Sequence, residues 1–386
     1  MKMKKRKSVI LIGTLPPPLD GQSVAFKVLI DYYKTNTINC KIINISSRKI
    51  RNKSNSSSQV FRYYDYMFVL LKLFYSLIAG YRLLYLQIAQ SKRGFVRDKW
   101  IIKIGSFFNC KIIAHLHGGN YNGFYNSLDL STQEEVKICL RTIDAMIILS
   151  ENLRGMFDFE PTLKDKLYVV SNGAGQKNVM PERKNSITKG INILYLSNLV
   201  ETKGYLEVLE AISILVNQYK LPVKANFCGR FSVDNDRSQF NTVEEAKLHF
   251  FNKIAEYQLK DIVAYKGVVE GVEKQQLLND AHFFVLPTRY INEGQPISII
   301  EAMRSGCVVV ASNYRAIPEM IQHNYNGYLL KNADHQEIAD IINYDYHHPE
   351  EYDQISINAF NTYNEKYTEM IHCKNILQLI DLVVKK

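Results

Sequence analysis

The chain has 386 residues, 46% of them hydrophobic and 22% charged, with a formal net charge of +10. That length exceeds what one core usually serves, so two domains are expected. The six cysteines show no C-x-x-C spacing, which suggests neither a disulfide framework nor a thiolate zinc site and fits a reducing cytosol. Charge is unevenly spread: residues 1–175 carry 26 Lys+Arg against 12 Asp+Glu, and residues 176–386 carry 22 against 26. The basic first half offers a surface to anionic partners such as acidic lipid headgroups, while no zinc-finger, helix-turn-helix or RNA-binding pattern points to nucleic acid.

In chain order, MKMKKRKSVILIGTLPPP begins like a signal peptide. Its apolar run, 9–15, is short and is stopped by prolines instead of a small-residue cleavage site, so a first buried strand is predicted. A helix over 22–33 and a strand over 40–45 follow, and RKIRNKSNSSSQ, 48–59, reads as a surface loop. The apolar stretch 67–89 is interrupted by Lys72 and Arg82 and splits into a helix, 66–78, and a strand, 83–88, so no transmembrane span is expected. Strands at 111–115 and 145–150 and the strand-and-turn LYVVSNGAG precede a polar stretch, KNVMPERKNSITKG, of linker composition. The domain boundary is therefore placed near residue 180.

The second half repeats the rhythm, with strands at 191–196, 224–228, 262–266, 281–287 and 308–311 and helices at 204–219, 297–304 and 335–343. Such alternation predicts, in each half, a parallel sheet wrapped by helices. The last segment, 367–386, has helical apolar spacing at Ile371, Ile376, Leu379, Ile380 and Val383.

The most specific string is PTRYINEGQPISIIEAMRSGCVVVAS, 287–312. A strand ends, a loop carries Glu293, Gly294 and Gln295, Pro296 suits a first helical position, and the helix from Ile297 carries Glu301. The free N–H groups of a helix start, with its dipole, suit a diphosphate, and the two glutamates can accept from sugar hydroxyls. Taken alone, Glu301 also fits a carboxylate that complements the helix dipole.

E-G-Q-P-x-x-x-x-E-A-M-x-x-G resembles the E-x7-E signature of the retaining GT-B glycosyltransferases of glycosyltransferase family 4, with Glu293 and Glu301 at its two glutamates. Three further segments occur in the family's order. TLPPPLDGQSVAFKVL is similar to its glycine loop, with Gly21 opening a helix and Asp20 where a second glycine is common. AHLHGGNYNGFY places His117 at a strand's carboxyl end, where ligands bind in open α/β sheets, whereas His115, still within the strand, reads as a core histidine. ILYLSNLVETKGYLEVLEA supplies Lys203 and Gly204 but has Ser197-Asn198 where Gly-Arg is usual, leaving Arg230 and Arg289 as candidate replacement cations.

The resemblance implies an α/β, GT-B architecture: two Rossmann-like domains facing each other across a cleft, residues 1–180 holding the acceptor and 181–366 the nucleotide-sugar, with the helix at 367–386 crossing back to the first. It implies catalytic roles for Glu293, His117 and Lys203. Donor binding falls to Gly21, Lys203, Asn198, Arg230, Arg289, Gly294, Gln295, Pro296, Ile297 and Glu301. It also implies no metal or other cofactor, a uridine diphosphate sugar first and a guanosine diphosphate sugar next, and a glycan or lipid-linked glycan acceptor met in the cytoplasm at the inner face of the membrane. Two other readings share the architecture: a nucleotide-sugar 2-epimerase or hydrolase, which needs no acceptor, and a degenerate partner subunit that binds donor without turnover.

Overall fold

The computed structural model describes residues 8–17, 20–46, 59–176, 179–181, 186–234 and 238–385. The loop expected at 48–59 lies, except for its last residue, outside the described residues, as does much of the expected linker. The chain divides into two compact units, Met1–Ala174 with Glu369–Lys386, and Gly175–Thr368. The division comes at Gly175, slightly before residue 180, and Val170 still belongs to the first unit's hydrophobic core.

The first unit is a six-stranded parallel sheet, β1 (Val9–Gly13), β2 (Cys40–Asn44), β3 (Leu83–Gln87), β4 (Lys111–His115), β5 (Ala145–Ile148) and β6 (Leu167–Val169), in the order β2-β1-β3-β4-β5-β6. Strands β1, β3 and β5 are buried along their whole length. Burial on both faces is what makes VILIG, LLYLQ and AMII near-continuous apolar runs. The helices are α1 (Gly21–Thr35), α2 (Gln59–Ile78), α3 (Lys92–Phe107), α4 (Tyr121–Asn126) and α5 (Leu130–Thr142). Because β2 and β3 flank β1 on opposite sides, right-handed crossovers put α1 on one face of the sheet and α2, α3 and α5 on the other. On that second face α2 packs beside α3, and α3 beside α5.

Helix α2 ends at Ile78 as expected but starts at Gln59, well before the expected residue 66, and much of its apolar surface points outward. Val69, Leu73, Ser76 and Leu77 are buried, whereas Met67, Leu71, Phe74, Tyr75 and Ile78 are exposed. Among the described residues no helix is long and apolar enough to cross a membrane.

The second unit has β7 (Ile191–Leu196), β8 (Val223–Cys228), β9 (Val263–Gly267), β10 (Phe283–Leu286), β11 (Val308–Ser312) and β12 (Tyr328–Leu330), all parallel in the order β12-β11-β10-β7-β8-β9. Its helices are α6 (Tyr205–Asn217), α7 (Val243–Glu256), α8 (Gly271–Asp280), α9 (Ile297–Arg304), α10 (Ile317–Met320), α11 (His335–His347) and α12 (Pro349–Lys366). The chain then re-enters the first unit as α13 (Glu369–Lys385), which packs on α1. There Cys373, Ile376, Leu379 and Ile380 join Phe26, Leu29 and Tyr85 in one core. In each sheet the strand order reverses once beside the first strand, between β1 and β3 and between β7 and β10. The carboxyl ends of those strands are where open α/β sheets present ligand-binding groups.

Candidate functional site

In the second unit, β7 runs into Ser197 and Asn198, and a short 3-10 turn, Glu201–Lys203, ends at Gly204. Gly204 has φ of 79°, and a Cβ there would lie 2.7 Å from the carbonyl oxygen of Pro287, just past β10. Only glycine combines that conformation with so close an approach. The Arg289 N–H donates to the Thr202 carbonyl at 2.6 Å, so the ends of β7 and β10 are fastened to each other.

This fastening brings Lys203 Nζ to 3.2 Å from Glu293 Oε2. Lys203 also donates to Ser197 Oγ at 3.2 Å and stands 5.1 Å from the centre of the Tyr290 ring. Glu293 is 8% exposed, and its Oε2 accepts a further hydrogen bond from Thr288 Oγ1 at 3.2 Å. A carboxylate this buried persists because a cation and a hydroxyl both meet it. Gly294, Gln295 and Pro296 are buried beside it and lead into α9. Pro296 is the N-cap, with extended backbone, so the helix starts at Ile297 and the expected first-turn proline sits one position earlier. Among the described residues no side chain caps α9, which leaves its amino end available to an anion.

The other residues singled out in this unit go elsewhere. Glu301 meets Lys274 Nζ at 2.6 Å, and Arg289 pairs with Glu207 while remaining half-exposed. Arg230 is exposed, its backbone N–H 3.4 Å from Asn198 Oδ1. Among the described residues, neither arginine forms an ion pair with Glu293, so Lys203 is the cation at that carboxylate. The expectation of metal independence assumes that the chain holds no D-x-D pattern, and Asp234-Asn235-Asp236 is one. Two carboxylates so spaced suit a divalent cation. Asp236 lies outside the described residues, and among these no cluster of three or more potential metal ligands occurs.

In the first unit, Gly21 is the first residue of α1, and Asp20 is its N-cap. The Asp20 carboxylate accepts from Ser23 N–H at 2.8 Å, and the Asp20 N–H donates to Ser23 Oγ at 3.0 Å. Asp20 thus stands in place of a second glycine because it closes a capping box. His115 is fully buried and hydrogen-bonded to the Tyr85 hydroxyl, as a core histidine should be.

His117 follows the end of β4 and stacks on His115 with ring centres 4.0 Å apart. Its ring is joined to Gln87, the last residue of β3, by a contact of 2.9 Å between His117 Nε2 and Gln87 Nε2. Gln87 is fully buried, and its Oε1 accepts from Thr14 N–H at 3.0 Å while its Nε2 donates to the Gln22 carbonyl at 3.1 Å. Those two backbone partners fix which end of the amide is which. Gln87 Nε2 is therefore the donor to His117, Nε2 of the imidazole accepts, and the imidazole proton sits on Nδ1. Burial, and then the charge His372 would carry, hold His117 at about 3, so the ring is neutral.

Gln87, Thr288 and Tyr290 were not singled out in the sequence. The one available signal was Gln87 itself, a lone polar residue in the apolar run LLYLQIA, at the end of a predicted strand.

Residues 176–362 match the family described as glycosyl transferases group 1. The amylovoran biosynthesis glycosyltransferase AmsK of Erwinia amylovora is 28% identical over 182 residues, 46% of this chain and 41% of AmsK. The N,N'-diacetylbacillosaminyl-diphospho-undecaprenol alpha-1,3-N-acetylgalactosaminyltransferase of Campylobacter jejuni is 28% identical over 216 residues, 54% of this chain and 50% of that enzyme. The chain thus spans about half the length of the curated relatives it matches. Anabaena Alr3699/HepE, solved with UDP and glucose, superposes with a TM-score of 0.72 at 17% identity, covering 97% of this chain and 100% of HepE. The fold is the α/β fold of the GT-B glycosyltransferases.

Proposed function

We propose that the protein is a retaining, metal-independent glycosyltransferase acting in surface polysaccharide synthesis. It takes a sugar from a nucleotide-sugar, a uridine diphosphate sugar before a guanosine diphosphate sugar, and gives it to a carbohydrate or lipid-linked glycan. The observation that carries this reading is the Lys203–Glu293 pair at the switch point of the second sheet, beside the uncapped start of α9. Breaking the bond from the anomeric carbon to the diphosphate builds charge on the leaving oxygens. Lys203 and the α9 amides are fixed donors for that charge and need no rearrangement as it develops.

Glu293 accepts from hydroxyls of the transferred sugar, and Glu301, oriented by Lys274, accepts from the ribose. His117, neutral and with its proton on Nδ1, is a sugar contact. With retention, the acceptor hydroxyl attacks from the face the diphosphate leaves, and the diphosphate takes its proton. The match over 176–362, the relatives named for polysaccharide and diphospho-undecaprenol substrates, and HepE's UDP and glucose support the donor and acceptor classes. The place of action is the cytoplasm, at the inner face of the membrane.

The test is nucleoside diphosphate release from a panel of uridine and guanosine diphosphate sugars, with and without glycan and lipid-diphosphate-linked acceptors, in chelator and in magnesium. Acceptor-dependent release, unchanged by chelator, is the expected result. Epimer formation from donor alone overturns it in favour of an epimerase, and binding without release across the panel indicates a degenerate subunit. Loss of turnover in chelator overturns metal independence and directs attention to Asp234.

A further inference from the structure

We propose that the outer face of α2 and α3 seats an anionic lipid surface, its apolar ridge entering the headgroup layer without crossing the membrane. Helix α2 exposes Met67, Leu71, Phe74, Tyr75 and Ile78, with Leu71 58% and Tyr75 69% exposed. Their spacing follows a helical stripe, so the helix is apolar on two sides and only one is spent on the core. Neighbouring α3 exposes Val96, Trp100 and Phe107, the last 82% exposed. The two rows are linked where Phe74 and Phe107 each stand edge-on to Phe108, at 5.6 and 5.5 Å. Isolated exposed apolar residues are ordinary, but a contiguous ridge over two helices marks an interaction surface.

Charge decides the occupant. Lys72, Arg82, Arg93 and Lys103 lie on or beside these helices with exposed side chains, and among the described residues none of them pairs with a carboxylate. Asp98, within α3, is buried and bound to Arg97, and Lys99 and Lys92 are met by Glu135 and Asp129 of the neighbouring segment. Of the four cations Arg82 also donates to the Leu77 and Tyr81 carbonyls, and a second copy docked ridge to ridge brings all four together. An anionic bilayer neutralises them while its acyl boundary takes up the aromatic and aliphatic side chains, as at an interfacial helix. The inference stands apart from the reaction, since it concerns a face of the first unit that holds none of the proposed donor-binding or catalytic residues.

Trp100 is the chain's single tryptophan and lies on the ridge, so its fluorescence reports the event directly. The full chain is mixed with vesicles of phosphatidylcholine alone, or with about a third phosphatidylglycerol, some carrying brominated acyl chains. Expected are a blue shift and bromine quenching with the anionic vesicles only, and co-sedimentation weakened by salt. Replacing two exposed side chains together, Leu71→Ser and Tyr75→Ser, keeps the thermal melt unchanged and lowers vesicle binding about tenfold. Lys103→Glu lowers it about fivefold or more. Trp100 fluorescence indifferent to anionic vesicles overturns the proposal, as does binding that survives the double substitution. A wild-type dimer in sedimentation velocity, made monomeric by the same pair of changes in a protein that ignores vesicles, assigns the ridge to a second copy instead.

Discussion

Glu293 is held by Lys203 from the end of β7 and by Thr288 from the end of β10, so its carboxylate is aimed before any ligand arrives. Glu293→Gln keeps the side chain's shape and its bond from Thr288 but removes the charge. Turnover is expected to fall about 100-fold or more, with the melting curve nearly unchanged. Wild-type-like nucleoside diphosphate release in that variant removes Glu293 from the mechanism. Gln87→Leu leaves the part-buried Thr14 N–H and Gln22 carbonyl without the amide that meets them, and a urea melt should show a loss of about 1–3 kcal/mol. In the wild type, nitrogen NMR of His117 should show a proton on Nδ1 and none on Nε2 down to about pH 4, since burial holds the ring near 3. Glu293, Glu301, Lys203 and His117 can be singled out as candidates from sequence because the pattern they match is a spacing along the chain. Gln87 was not singled out, because its three partners lie just past β1, in α1 and just past β4. The fate of Arg289 was equally hidden, since Glu207 on α6 is 82 residues away in the chain.

Gly204 shows how an element boundary governs the site. Alanine there meets both a left-handed backbone and the Pro287 carbonyl, so Gly204→Ala is expected to cost about 2–4 kcal/mol, read as a lower denaturation midpoint for the second unit. Lys203, its neighbour, moves with the displaced turn, so turnover should fall further than stability alone accounts for. The strands at 111–115 and 191–196 and the helix at 297–304 were read to the residue, because burial on both sheet faces and a capped or proline-led start write themselves into sequence. Helix α8 was not: Leu278 is its only buried residue, so GVEKQQLLND carries no apolar period. Strand β12, Tyr328–Leu330, is too short to show alternation. The outward stripe of α2 was likewise invisible, since an apolar period marks a face without saying what covers it.

At the scale of the whole molecule the two units are expected to answer acid in opposite directions. His372 on α13 donates to the Ser171 carbonyl at 2.7 Å, and burial lowers it from 6.5 to about 4. The unfolded chain therefore takes up a proton before the native one does. The first unit's stability is full above pH 6.5 and declines toward pH 4, by about 2 kcal/mol at pH 5 from this histidine. Asp345, in the second unit, is pushed up from 3.8 to about 7 by burial first and then, more weakly, by the Glu351 charge. Here the native state keeps its proton longer, so stability is full below 3.8 and is lost as pH rises toward 7. Calorimetry at pH 7.5 and pH 5 should show the first unit's transition falling and the second's rising. His372→Gln should make the first slope shallower, His117 keeping part of it, and Asp345→Asn should do the same to the second, and parallel movement of both transitions contradicts the assignment. The alternation that yields two sheets was readable in the sequence, and so was the helical spacing of the last segment. That α13 supplies part of the first core has a further consequence during synthesis. The ribosome adds residues at about 5–20 per second, so the newly made first half waits about 10–40 s before α13 emerges. Throughout that interval Phe26, Leu29 and Tyr85 lack the partner they have in the finished core. The nascent amino-terminal half is therefore expected to expose part of its core until the chain is finished, and the middle of the chain is free to finish folding before the part made first.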